Sequence, residues 1–96
     1  MASREDYLIF VKELLRDVSG ISYRKMMGEY ILYKDNVIVG GIYDNRFLVK
    51  KTKSSMVLNL KEQIPYPGAK PMLLVDSEDP DEVADIIINI YKDLKK

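Results

Sequence analysis

Two Asp-Asn pairs, Asp35-Asn36 and Asp44-Asn45, stand on either side of the run "VIVGGIY". Aspartate and asparagine tolerate the positive φ that two-residue hairpin turns require. The run "YRKMMGEYILYK" leads into the first pair and "RFLVKKT" leaves the second. Residues 23–51 are therefore expected to form a β-meander, antiparallel because such short connections admit no crossover. Within it, Gly28 marks a bulge or kink, and Gly40-Gly41 a close backbone approach inside a strand.

Helical periodicity frames the meander. Tyr7, Phe10, Val11, Leu14, Leu15 and Val18 recur at helical spacing, which predicts an amphipathic helix over 3–18. Ser3 is its expected cap with Asp6 reaching back, and Gly20 its left-handed stop. Residues 53–60 read as a short helix with Met56, Val57 and Leu60 on one side. "IPYPGAKP" is a loop, because its prolines exclude regular structure. "MLLV" (72–75) is a continuous apolar strand, expected to be central or covered on both faces. A last helix starts at Asp79-Pro80, with Glu82 closing a capping box and Val83, Ile86, Ile87, Ile90 and Leu94 in one stripe. Lys92, Lys95 and Lys96 suit its C-terminal dipole. The expected fold is α+β, an antiparallel sheet with helices on one face, in the order α-β-β-β(-β)-α-β-α.

A chain of 96 residues is enough for one domain, 1–96. Cysteine and histidine are both absent. That removes disulfides, thiol chemistry, Cys/His zinc sites and the usual general base near neutral pH. With no paired-carboxylate motif either, the expectation is a protein that is not an enzyme and uses no cofactor or metal. No apolar run approaches the ~18 residues of a membrane span. The first apolar stretch is broken by Lys12 and Glu13 too early for a signal peptide, so a cytoplasmic location without membrane contact is expected. Formal net charge is zero, and no global field draws the chain to nucleic acid. Locally, residues 23–70 carry 9 basic and 4 acidic residues, whereas 71–96 carry 3 basic and 7 acidic.

Three stretches offer contact chemistry. Arg24 and Lys25 could hold a phosphate or an acidic partner, although solvent-facing charges at a strand start are the commoner meaning of such a pair. "YPGAKP" (66–71) sets Tyr66, a glycine and Lys70 on a rigid loop. It lacks the P-loop pattern, and a phosphate or small-molecule role there requires a concave pocket beside Lys70. "RFLVKKTK" (46–53) places Arg46, Lys50, Lys51 and Lys53 around Phe47, as a nucleic-acid strand would, or as lysines that blunt an exposed sheet edge do. Apolar residues on a second side of the last helix (Ala84, Ile88, Tyr91) and on both faces of Tyr30–Tyr33 and Val37–Val39 point to self-association.

Taken together, "RKMMGEYILYKDNVIVGGIYDNRFLVKK" and "PYPGAKPM" resemble the N-terminal domain of the TfoX/Sxy family. The matching positions run from Arg24, Lys25, Met26 and Gly28, through Tyr30, Tyr33, Asp35, Asp44 and Lys50, to Tyr66, Lys70 and Met72. Met27 replaces the usual phenylalanine, Glu29 a second glycine, and Asp-Asn the usual Asp-Gly at both turns. The strand after Met72 reads "LLVDS" where an aromatic-rich one is usual. The resemblance implies a secretion-chaperone-like α+β fold and a role like that of bacterial competence regulators. Those are transcriptional co-regulators working with the cyclic-AMP receptor protein, and full-length members carry a second, C-terminal domain. It implies no catalytic residues. The expected protein is a non-enzymatic regulatory module, homodimeric, binding a protein partner such as a transcription factor through Arg24, Lys25, Tyr66 and Lys70. The alternative is nucleic-acid binding through Arg46, Lys50, Lys51 and Lys53.

Overall fold

The computed structural model describes residues 4–95. Its elements are α1 (Glu5–Leu14), β1 (Ile21–Met26), β2 (Glu29–Lys34), β3 (Val37–Tyr43), β4 (Arg46–Val49), α2 (Lys53–Met56), β5 (Glu62–Gln63), β6 (Met72–Leu74) and α3 (Pro80–Lys95). The strands form one antiparallel sheet in the order β1-β2-β3-β4-β6-β5. The fold is the expected small α+β domain.

Both Asp-Asn pairs are hairpin turns with positive φ at each central residue: 47° and 68° at Asp35-Asn36, 52° and 57° at Asp44-Asn45. A third hairpin was not expected. Met27 (φ 54°) and Gly28 (φ 82°) form a two-residue turn, so Gly28 ends a strand and does not kink one. The bulge lies one hairpin further on. Leu32 pairs with Gly40 but Tyr33 pairs with Ile38, which leaves Val39 extra on β3. The close approach predicted at Gly40-Gly41 is present: a β-carbon on Gly40 would meet the Leu48 carbonyl oxygen and lie 2.9 Å from Val49 Cα.

α1 is shorter than its periodicity. Its last apolar residues, Leu15 and Val18, are buried in the turns that follow Leu14. Gly20 is left-handed, as a chain reversal there requires, and its carbonyl accepts from Asp35 N–H at 2.8 Å. The expected Ser3 cap lies outside the described residues. Arg4 N–H instead donates to Asn45 Oδ1 at 2.7 Å, tying the start of α1 to the second hairpin turn.

α2 ends at Met56, short of the expected residue 60, and its three apolar residues do not share one side: Leu60 packs against the core from beyond the helix. Met56 and Val57 are 58% and 74% exposed, and the buried residue is Ser55. Capping chemistry decides this. Ser55 Oγ accepts from Thr52 N–H at 2.7 Å and donates to the Lys50 carbonyl at 2.9 Å, while Ser54 N–H donates to Asp93 Oδ2 on α3 at 2.8 Å. Saturating these polar groups outweighs turning two apolar side chains inward.

α3 starts as expected, with Pro80 first and the Asp79 side chain accepting from Asp81 N–H at 3.0 Å. The capping box is not closed by Glu82. Asp79 N–H donates to Ser77 Oγ at 3.2 Å. α3 crosses the sheet at β3, with α1 and α2 against its flanks. Val83, Ile86, Ile87 and Ile90 meet Val11, Leu14, Leu32, Ile42 and Phe47 in the core. Ala84, Ile88 and Tyr91 pack against that same core, so the apolar second side of α3 is largely used within the chain. Among the described residues, no helix is long and apolar enough to cross a membrane.

The sheet's other face carries Ile31, Gly41 and Leu48 across one rung, with Leu74 beyond. Leu48 is fully buried yet lies outside the core cluster. β6 runs between β4 and β5, the central position that "MLLV" implied, and the proline loop 64–71 folds back near Tyr43 and Met72.

Candidate functional site

The site is built where that loop meets the sheet. Gly41 has no side chain, and the Tyr43 ring leans into the space: a β-carbon there would lie 2.6 Å from Tyr43 Cε2. Tyr66 from the loop meets Tyr43 with ring centroids 6.1 Å apart at 51°. Arg46 fastens the loop to the strand end. Its Nε donates to the Tyr43 carbonyl (3.1 Å), Nη1 to Gln63 Oε1 (2.7 Å), and Nη2 to the carbonyls of Ile64 and Pro65 (3.2 Å each). The loop then turns at Gly68 (φ 87°), closed by Ala69 N–H donating to the Tyr66 carbonyl at 3.0 Å.

Between loop and sheet lies a cavity of about 600 Å³. Tyr43 and Tyr66 line it, together with Ile38, Met72 and three lysines, Lys50, Lys51 and Lys70. Lys50 projects to this face because it continues the alternation of β4, its N–H donating to the Val39 carbonyl at 3.0 Å. Lys51 Nζ is paired with Glu62 Oε2 at 3.0 Å. Lys50 and Lys70 make no side-chain hydrogen bond or ion pair with the described residues. Burial pushes the Tyr43 phenol above its ordinary value, and the nearby Tyr66, Glu29 and Tyr33 push the same way. Tyr43 therefore stays a neutral hydroxyl that can donate. The arrangement is concave, cationic and aromatic.

The residues singled out in the sequence divide differently from their original grouping. Tyr66 and Lys70 from the first set share the cavity with Lys50 and Lys51 from the second. Arg46 is consumed in holding the loop. Lys53 opens α2 and does not line the cavity. The stretch 46–53 does not form an edge, because β4 runs between β3 and β6. The edge-blunting role falls to Arg24 and Lys25, which are exposed on β1, a true edge strand. They sit beside the Met27-Gly28 turn, whose Met27 side chain is 96% exposed, and do not join the cavity. Tyr43 was not anticipated. A glycine two residues before a tyrosine in one strand shares its face, and that spacing is the signal that would have found it.

No protein-family model matches the chain. The "Uncharacterized 12.7 kDa protein in trpE 5'region" of Spirochaeta aurantia is 36% identical over 78 residues, which cover 79% of this chain and 68% of the relative. At that identity and coverage, the chain belongs to the same family as the 12.7 kDa protein of Spirochaeta aurantia.

Proposed function

We propose that the protein is a non-enzymatic cytoplasmic regulatory module of the TfoX N-terminal type, acting as a homodimer on a protein partner such as a transcription factor. The observation that carries this reading is the presentation of Tyr66 and Lys70. Arg46 and three prolines hold their loop, and Tyr66 remains 58% exposed at its rim. A rigid tyrosine beside a free cation is the kind of group that dominates protein contacts, because little side-chain entropy is lost on docking. Self-association rests on the apolar side chains left exposed on the β1–β3 part of the second face, Met26 and Ile38, and on Met27 at the adjoining turn.

Two measurements test it. Light scattering coupled to size exclusion, at two protein concentrations, should give twice the 11.1 kDa chain mass; a monomer throughout removes the homodimer. Titration of purified cyclic-AMP receptor protein should show binding that Tyr66→Ala with Lys70→Glu abolishes at an unchanged thermal midpoint. No binding by the parent protein would remove the TfoX-type partner.

A further inference from the structure

We propose that the cavity beneath the Pro65–Pro71 loop binds a phosphorylated small molecule bearing an aromatic ring, a compound of mononucleotide size. The proposal goes beyond the partner reading and does not depend on it.

Charge is the first argument. Three lysines from two separate segments line one cavity, and Lys51 is the one held by a carboxylate. Lys50 and Lys70 line it without an ion pair to the described residues. Clustered cations repel one another, and a dianionic phosphate relieves that repulsion through charge-assisted hydrogen bonds. Size and lining are the second argument. About 600 Å³ far exceeds what a bare phosphate fills and lies within the range of small-molecule sites. The wall also includes Tyr43, Tyr66, Ile38 and Met72, which supply aromatic and apolar surface for the remainder of the ligand. The third argument separates a small molecule from a nucleic-acid strand. A strand needs a track of cations along its backbone, but Arg46 is spent on the loop and Lys53 lies off the cavity, so the positive charge is local.

Isothermal titration of adenosine 5′-monophosphate at low salt tests this, with adenosine, inorganic phosphate and a single-stranded oligonucleotide as comparisons. The expected result is saturable one-to-one binding of the monophosphate, weaker binding of each half, and at least a tenfold loss in Lys50→Glu/Lys70→Glu. Both side chains lack hydrogen bonds to the described residues, so the variant should keep the parent's thermal midpoint. If it does not, Lys70→Gln alone should show the same direction of loss. No saturable binding up to about 10 mM overturns the proposal. Equal binding of phosphate and monophosphate overturns the ring-bearing ligand, and unchanged affinity in the variants overturns the site. Tighter binding of the oligonucleotide with a steep salt dependence would replace the small molecule by a polymer.

Discussion

The Tyr43 ring lies across Gly41: a β-carbon on the glycine would stand 2.6 Å from Cε2 and 2.9 Å from Cζ of the tyrosine. The same β-carbon would be 2.7 Å from the Tyr30 carbonyl oxygen on the neighbouring strand. Glycine at this rung thus does two things. It lets β2 and β3 close up, and it gives Tyr43 a seat from which it meets Tyr66 and walls the cavity.

Gly41→Ala should therefore destabilise by about 1–3 kcal/mol, the usual range for overpacking a tight site. Urea unfolding monitored by circular dichroism checks it. Removing the ring as well, in Gly41→Ala/Tyr43→Ala, should relieve only part of the cost, because the backbone oxygen of Tyr30 cannot swing away. A double variant that regained the stability of Tyr43→Ala alone would show that the ring was the sole obstacle.

Arg46 makes four hydrogen bonds, one to the end of β3, one to Gln63 on β5 and two to loop carbonyls. Charged donors of this kind contribute about 1.5–3 kcal/mol each when removed from a half-buried site, and they are not additive. Arg46→Lys is not conservative here, since an ammonium cannot reach Gln63, Ile64 and Pro65 in one fork. The expected outcome is a loss of about 2 kcal/mol together with faster hydrogen exchange at the Ala69 amide, whose bond closes the loop turn. Unchanged exchange at Ala69 would mean that the loop holds itself.

Lys34 is 7% exposed, with Nζ donating to the Ser19 carbonyl at 2.9 Å, 3.3 Å from Asp35 Oδ2 and 5.1 Å above the Tyr91 ring. The cation thereby joins the α1–β1 turn, the first hairpin and α3. Lys34→Ala should cost about 2–4 kcal/mol, through lost stem packing and a lost charged hydrogen bond. Lys34→Met keeps the stem and should cost less than half of that. Equal losses in thermal melts of the two variants would place the whole effect in the ammonium.

How much of this was legible varies by element. The Asp-Asn turns announce themselves because few residue pairs take two successive positive φ values. The Met27-Gly28 turn was hidden because methionine gives no such signal, which merged β1 with β2. Lys34 was readable in principle, since strict alternation from Tyr30 and Leu32 puts it on the core face. α2 was misread because its apolar residues face outward and a serine network sets its orientation, a tertiary matter that periodicity does not encode. For the site, the loop's own residues were visible, but their meeting with Lys50 and Tyr43 depends on β6 pairing next to β4. A single chain does not print its strand order.

Tyr23 carries the sharpest pH prediction. Its hydroxyl is buried without a hydrogen-bond partner among the described residues, and burial pushes the phenol far above its ordinary value of 10.0. The folded state then keeps a proton that the unfolded state gives up as pH rises past about 10. Stability is fully present below that pH and falls above it, because the folded state there binds more protons. Tyr7 and Tyr43 shift the same way for the same first cause, so the parent protein should lose stability steeply in alkali. Tyr23→Phe removes the largest of these contributions. At pH 7 it should be neutral or stabilising by about 1 kcal/mol, since it deletes a buried hydroxyl that satisfies nothing. Above pH 10 its advantage over the parent should widen by up to about 1.4 kcal/mol per pH unit. Urea unfolding at pH 7, 9, 10 and 11 checks this, and parallel curves for parent and variant would show that the Tyr23 hydroxyl reaches water in the folded protein.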